Sequence, residues 1–282
     1  MPAPQATAMK QLARLAFSQN NLKVPDGWTK PSGDPAGQHY DDAFSASEKM
    51  TTPAMTQPPL FTAQSMNKYH TDVQKMLTSK VGSYIDGITS AICSAWAQWQ
   101  GSAALTMVII NGPTAVGGQV AGPPLTPLIL STAPKASPNE LKYSNAIATT
   151  IGTAWLAYTA SIKILPPLPW YPAFTAFPGP IAPPMPNLPS PLMALTQVPA
   201  SLAPAAMKGQ MIGLLGDPQA MYHKELFGAV CDAFDKCFKI WQGATQVTNV
   251  LGTGPIPTFA PPYVPVGPVV GGVGNMTPGG FV

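Results

Sequence analysis

The sequence predicts a mainly α, α+β fold: three pseudo-repeated amphipathic helices forming a bundle, each followed by an extended Gly/Pro-rich arm with short strands. Three observations predict it. A fifteen-residue segment occurs twice. Apolar residues recur at helical spacing in three places. Charge is confined to blocks that alternate with uncharged stretches rich in proline and glycine.

The duplicated segment is WQGSAALTMVIINGP at 99–113 and WQGATQVTNVLGTGP at 241–255, which agree without a gap at seven of fifteen positions. Unrelated segments of ordinary composition agree at about one, so internal repetition is considered before any motif. The correspondence extends backwards. Tyr84, Ile88, Ile92 and Trp96 lead into Trp99, and Leu226, Val230, Phe234 and Phe238 lead into Trp241. A middle copy reads Tyr143, Ile147, Ile151, Trp155 and Tyr158. Spacings of three and four place each set on one stripe of a helix. These residues form the expected core of the repeats.

The chain divides accordingly. Residues 1–62 hold an amphipathic helix at about 5–19, with Met9, Leu12, Leu15 and Ala16 inward, and a polar irregular segment over 21–62. Repeat 1 covers 63–134. Its helix opens at Thr62 or Ser65, and LTMVIINGP is a strand candidate ended by a turn that sends the arm outward. Repeat 2 covers 135–207. Ser137-Pro138-Asn139-Glu140 is a capping box with Pro at the first helical position. Its arm, 164–207, contains thirteen prolines, which leaves polyproline II and sheet-edge conformations. Repeat 3 covers 208–282, with Asp217-Pro218 as the helix cap and two i,i+4 pairs, Asp232 with Lys236 and Asp235 with Lys239, on its solvated side. The whole is expected to be one compact domain with arms.

Charge narrows the function classes. Only 10% of the 282 residues are charged against 45% hydrophobic, where soluble domains carry about 25% charge. No Lys, Arg, Asp or Glu occurs in 87–134, 164–207 or 240–282. Such a chain suits a surface covered by partners. A net charge of +3 without a basic stripe gives no reason to expect nucleic acid. The arms carry Trp170, Tyr171, Phe174, Phe177, Phe259 and Tyr263. Leaving these rings in water forfeits the large burial energy of aromatics. The arms are therefore expected to lie on a surface, with those six residues binding a partner.

The sequence carries no catalytic signature. His39, His70 and His223 are scattered, and Cys93, Cys231 and Cys237 form no CxxC. No metalloprotease, phosphate-loop, dinucleotide or nucleophile-elbow pattern appears. No catalytic, cofactor-binding or metal residue, cofactor or small-molecule substrate is therefore expected. The N-terminus lacks an apolar signal core, which points to synthesis in the cytoplasm without a signal peptide. Residues 144–162 are uncharged and nearly long enough to span a bilayer. Their Thr, Ser, Asn145 and Gly152 favour a buried helix instead, and a membrane-associated protein is the alternative reading.

The unit AIATTIGTAWLAYTASI with its Gly/Pro-rich arm, and LGTGPIPTFAPPYVPVGPVVGG after a helix, resemble small virion structural proteins of tailed phages and related contractile particles. The resemblance covers about two thirds of the chain and is compositional. It implies a non-catalytic structural protein of a large particle, whose partners are other protein subunits. It transfers no functional residue. The high proline content and the three fused copies depart from that pattern.

Overall fold

The computed structural model describes residues 2–20, 63–259 and 266–282. The chain forms two compact units, 1–19 with 85–282, and 20–84; the description below concerns the first. The irregular segment expected over 21–62, the Thr62 cap and Tyr263 lie outside the described residues.

The described residues hold six α-helices: α1 (Ala6–Ser18), α2 (Ala63–Ser102), α3 (Leu125–Thr132), α4 (Pro138–Ser161), α5 (Pro204–Leu215) and α6 (His223–Ala244). Eight strands accompany them: β1 (Ala104–Asn111), β2 (Thr114–Ala121), β3 (Ile164–Leu168), β4 (Ile181–Pro186), β5 (Ser190–Pro191), β6 (Gln246–Val247), β7 (Val250–Pro255) and β8 (Gly272–Met276). Six of them form one antiparallel sheet in the order β3-β2-β1-β8-β7-β4, and β5 pairs with β6. The architecture is α+β. The expected bundle of three repeated helices with separate arms is therefore corrected. The backbone groups of extended segments need partners, and all three supposed arms contribute strands to one common sheet.

The duplicated joint does not turn outward at Gly112-Pro113. Those two residues close a hairpin, with Asn111 opposite Thr114 and Gly112 at φ +55. The proline-rich middle arm supplies both sheet edges. β3 carries Pro166 and Pro167, and β4 carries Pro183, Pro184 and Pro186. Proline has no N–H to offer a further strand, so these edges resist extension.

Helix ends follow local chemistry. Ser137 Oγ accepts the Glu140 N–H at 3.2 Å, and Glu140 Oε2 accepts the Ser137 N–H at 3.2 Å, so the capping box forms. The Asp217 cap is a correction. Asp217 accepts the Gln219 N–H at 3.0 Å in a turn, and α6 starts later, at His223. Two helices, not one, occupy 204–244, separated where Gly216 adopts φ +64. In α1 the buried residues are Met9 and Ala13, whereas Leu15 is exposed. The stripe is rotated from the expected one, and Arg14 is free to reach Asp86 with a bidentate pair at 2.7 Å.

The sheet's inner face is thin at its centre. A Cβ on Gly252 would lie 2.6 Å from Tyr171 Cε1, and one on Gly274 would lie 3.1 Å from the Tyr171 hydroxyl. The two glycines let the Tyr171 ring rest on the strands, where its hydroxyl donates to the Val250 carbonyl at 2.8 Å. Phe174 stacks on Tyr171 at 5.1 Å.

Candidate functional site

Two regions stand out: an aromatic core of sequence-predicted residues where the helices meet the sheet, and the sheet's outer face, whose residues the sequence did not single out.

In the core, Trp96 and Trp99 on α2, Trp155 and Tyr158 on α4, and Phe234, Phe238 and Trp241 on α6 are buried together. Ring centroids are 4.8 Å apart for Trp96–Trp155, 4.9 Å for Trp99–Trp155, 5.2 Å for Trp96–Trp241 and 4.9 Å for Tyr158–Phe238. Many of these pairs are edge to face, the arrangement the ring quadrupoles favour. Ile88, Ile92, Ile147, Ile151 and Val230 are buried on the same helices; Tyr84, which belongs to the other compact unit, is buried as well. Tyr143 is half-buried, with its ring 5.5 Å from Phe227.

Sequence reasoning missed the polar members of this core. Gln100 is buried, accepts the Trp241 indole N–H at 3.0 Å and donates to the Phe281 carbonyl at 2.7 Å. Its counterpart in the duplicated segment, Gln242, is also buried and donates to Thr196 Oγ1 at 2.8 Å. The repeated Trp-Gln pair was the available signal. Asn187 gave none. It accepts the Val250 N–H at 2.9 Å and donates to the Val247 carbonyl at 3.0 Å, bridging the gap between β6 and β7.

The three cysteines of the core are held as thiols. Burial pushes the Cys93 and Cys231 thiols up to about 12, and it also raises Cys237. In Cys93 the neighbouring Cys237 adds to the rise and Lys10 opposes it; in Cys231 Asp232 adds and Lys208 opposes. Protonated thiols are poor nucleophiles and poor metal ligands. Burial likewise raises the Tyr158 and Tyr171 hydroxyls. Among the described residues, no group of three His, Cys, Asp or Glu could hold a metal ion, and no helix is long and apolar enough to cross a membrane. In the uncharged 144–162 stretch Ala146, Ile147, Ile151, Ala154, Trp155 and Tyr158 are buried, whereas Leu156 is exposed.

The outer face is different in kind. None of the eight strands contains a charged residue. Register places Val116, Ile109, Val273 and Thr253 in one row across β2, β1, β8 and β7. Ile109 is 51% exposed and Val273 46%. The face they share is set by a shift in β1. Leu105 and Val108 both point inward because Met107, between them, takes φ +57. That residue breaks the two-residue alternation and puts Ile109 outside.

Compared with family models, curated proteins and solved structures, the chain matches none.

The expected partner-binding arm residues are corrected in part. Trp170, Tyr171 and Phe174 are buried inside the chain, so they are not a docking surface. The arm lies on the chain's own sheet, which already supplies the apolar cover that these rings need. Phe177 and Phe259 are half-buried. The large hydrophobic residues that the arms leave outward include Ile109, Val273, Leu165, Ile181 and Val270, as well as Met107 and Met193.

Proposed function

We propose that this chain is a non-catalytic structural subunit of a large protein assembly, a phage virion or contractile tail-like particle. It contacts neighbouring subunits through the uncharged outer face of its sheet. The observation that carries this reading is the partition of charge: none of the eight described strands contains a Lys, Arg, Asp or Glu, and exposed Ile109 and Val273 sit side by side in the middle of the sheet. An aliphatic, charge-depleted patch framed by Thr and Asn has the composition of an interface centre. The resemblance of its helix-plus-arm units to particle proteins points the same way. The proline edges direct contact to the face rather than to strand addition.

The test is quantitative mass spectrometry of particles purified from the source. The chain is expected at a fixed stoichiometry that survives a density gradient. Its absence from such particles, or a variable trace amount, overturns the reading.

A further inference from the structure

We propose that α1 is a latched cover over a thiol site shared by α2 and α6, and that lifting it lets Cys93 exchange with a small disulfide, after which the cover cannot reseat. The device lies away from the sheet and does not depend on the assembly reading.

Sulfur gathers where α1 lies. Cys93 of α2 donates its S–H to Met9 Sδ of α1 at 3.7 Å. Cys237 of α6 is near enough for its charge to act on Cys93, as is Lys10 of α1, and α1 packs along α6. Two thiols from different helices thus lie near each other, and α1 seals the first. Both keep slight exposure, 4% for Cys93 and 5% for Cys237. Cys231 is packed elsewhere, donating to Met211 of α5 at 3.7 Å. The opposite side of α1, with Thr7, Gln11, Arg14 and Ser18, is exposed. One helix therefore separates Cys93 from solvent.

That helix can leave by itself. Its 13 residues are too few for a stable helix in water. Gln5 gives it no side-chain cap, and its first turn holds no acid. None of the rings that make the aromatic core is on α1, so lifting it keeps that core packed. This is local opening and not global unfolding. The latch is an ion pair: Arg14 Nε and Nη2 donate to the two Asp86 oxygens at 2.7 Å each. Their side chains are 53% and 32% exposed, so dissolved salt weakens the pair.

Once uncovered, Cys93 meets water and loses its proton to it more readily. The thiolate attacks one sulfur of a low-molecular-weight disulfide. A bond forms between Cys93 Sγ and that sulfur, the old S–S bond breaks, and the other half leaves as a thiolate. Cys93 is oxidised and the small disulfide is reduced, with no further electron donor or acceptor. The added group then occupies the space of Met9. A close-packed contact has no room for both, so α1 stays off until a thiol reduces the adduct.

The test uses the full chain and dithiobis(nitrobenzoate), a small aromatic disulfide, in native buffer. Absorbance of the released thiolate gives the rate, and peptide mass spectrometry assigns it to each cysteine. Cys93 is expected to react well before Cys231. Arg14→Gln and Asp86→Asn should each speed Cys93 about two- to fivefold, the range of an exposed ion pair, and leave Cys231 unchanged. Raising sodium chloride from about 20 mM to about 500 mM should speed wild type and not Arg14→Gln. Both substitutions are at the surface, and should one misfold, the other and the salt series still decide. After Cys93 is modified, hydrogen exchange should show α1 amides unprotected while those of α4 and α6 stay protected. Equal rates at Cys93 and Cys231, unmoved by the variants and by salt, overturn the proposal, because opening is then global. A modified Cys93 with α1 still protected also overturns it, because the adduct then fits beneath a seated helix.

Discussion

The two copies of the duplicated segment begin alike and then diverge. Each closes a helix on a buried Trp, and each caps it through the same bond. The Ala103 N–H reaches the Trp99 carbonyl at 2.7 Å, and the Thr245 N–H reaches the Trp241 carbonyl at 2.9 Å. Each then takes one non-glycine residue into the left-handed region at the aligned position, Met107 at φ +57 and Asn249 at φ +56. Beyond that they part. The first runs on as the full strand β1 and turns back as a hairpin. The second is split into β6 and β7, with Asn187 filling the break. Both β1 and β7 pair with β8. The lesson is that the conserved unit is a joint, a way of passing from helix to sheet, and that the partner met after the joint decides the strand.

The sharpest way to break this comparison is at the two tryptophans. Trp241 touches Trp96, Trp99 and Trp155 by ring contact and also donates to Gln100. Trp241→Ala is expected to cost about 4–5 kcal/mol, and Trp99→Ala about 3–4 kcal/mol, both within the range of buried aromatic truncations. Urea unfolding followed by far-UV circular dichroism measures both. Their rings are 6.3 Å apart, so the double variant should cost less than the sum. A larger loss for Trp99→Ala would place the hub on the wrong copy.

The thiols give the next effect, and they separate the helices of the two joints: α2 holds Cys93, and α6 holds Cys231 and Cys237. Their folded values lie above the ordinary 9.0. The unfolded chain therefore releases these protons first. Stability is fully present below pH 9 and falls as pH rises from 9 towards the folded values near 12 for Cys93 and Cys231. The slope is about 1.4 kcal/mol per pH unit for each such thiol. Unfolding free energies at pH 8 and 10 should differ in that direction, and Cys93→Ala with Cys231→Ala should flatten the difference. An equal slope in the double variant would assign the loss elsewhere.

The glutamines come third. Gln100 connects the two copies, while Gln242 donates to Thr196 and lies beside the Tyr158 hydroxyl. Gln100→Leu strands the Trp241 indole N–H and the Phe281 carbonyl and should cost about 2–3 kcal/mol, against about 1 kcal/mol for Gln242→Leu. Removing Phe281 and Val282 should reproduce part of the Gln100 effect, because Phe281 also stacks on Trp99 at 5.7 Å. Equal losses at the two glutamines would mean that the joints are energetically interchangeable.

The helical half of the molecule was readable because its information is local. The Trp96, Trp155 and Phe234 stripes repeat at three and four, and Ser137 with Glu140 caps its own helix. The sheet was not. β2 is TAVGGQVA and β8 is GVGNM, and glycine in such runs reads as turn. What makes Gly252 and Gly274 strand residues is the Tyr171 ring pressed on them, a contact formed across long sequence separation. Prolines in β3 and β4 argued against central strands and left sheet edges open, and the edges are where those strands stand. The rings of Trp170 and Phe174 demanded cover, but nothing in a single sequence distinguishes the chain's own surface from a neighbour's. The outer face depended on the same kind of hidden information. MVII is plainly a strand, yet which of Val108 and Ile109 faces out follows from the backbone of Met107.

That residue supports the smallest and most discriminating prediction. Holding an L-residue in the left-handed region costs about 1–2 kcal/mol, less for Asn, whose short side chain bonds locally. Met107 is 67% exposed, so its side chain contributes little burial to set against that cost. Met107→Gly removes the strain and loses about 0.5–1 kcal/mol to the entropy of the freer unfolded chain. The net expectation is a gain of about 0.5 kcal/mol. Asn249→Gly has less strain to remove and the same entropy to lose, so it should be neutral or slightly destabilising. Thermal unfolding of the two variants side by side reads the difference directly. The reverse order, with Asn249→Gly the stabilising change, would show that the two joints do not hold the same conformation at their aligned residue, and the structural equivalence of the duplicated segments would fail there.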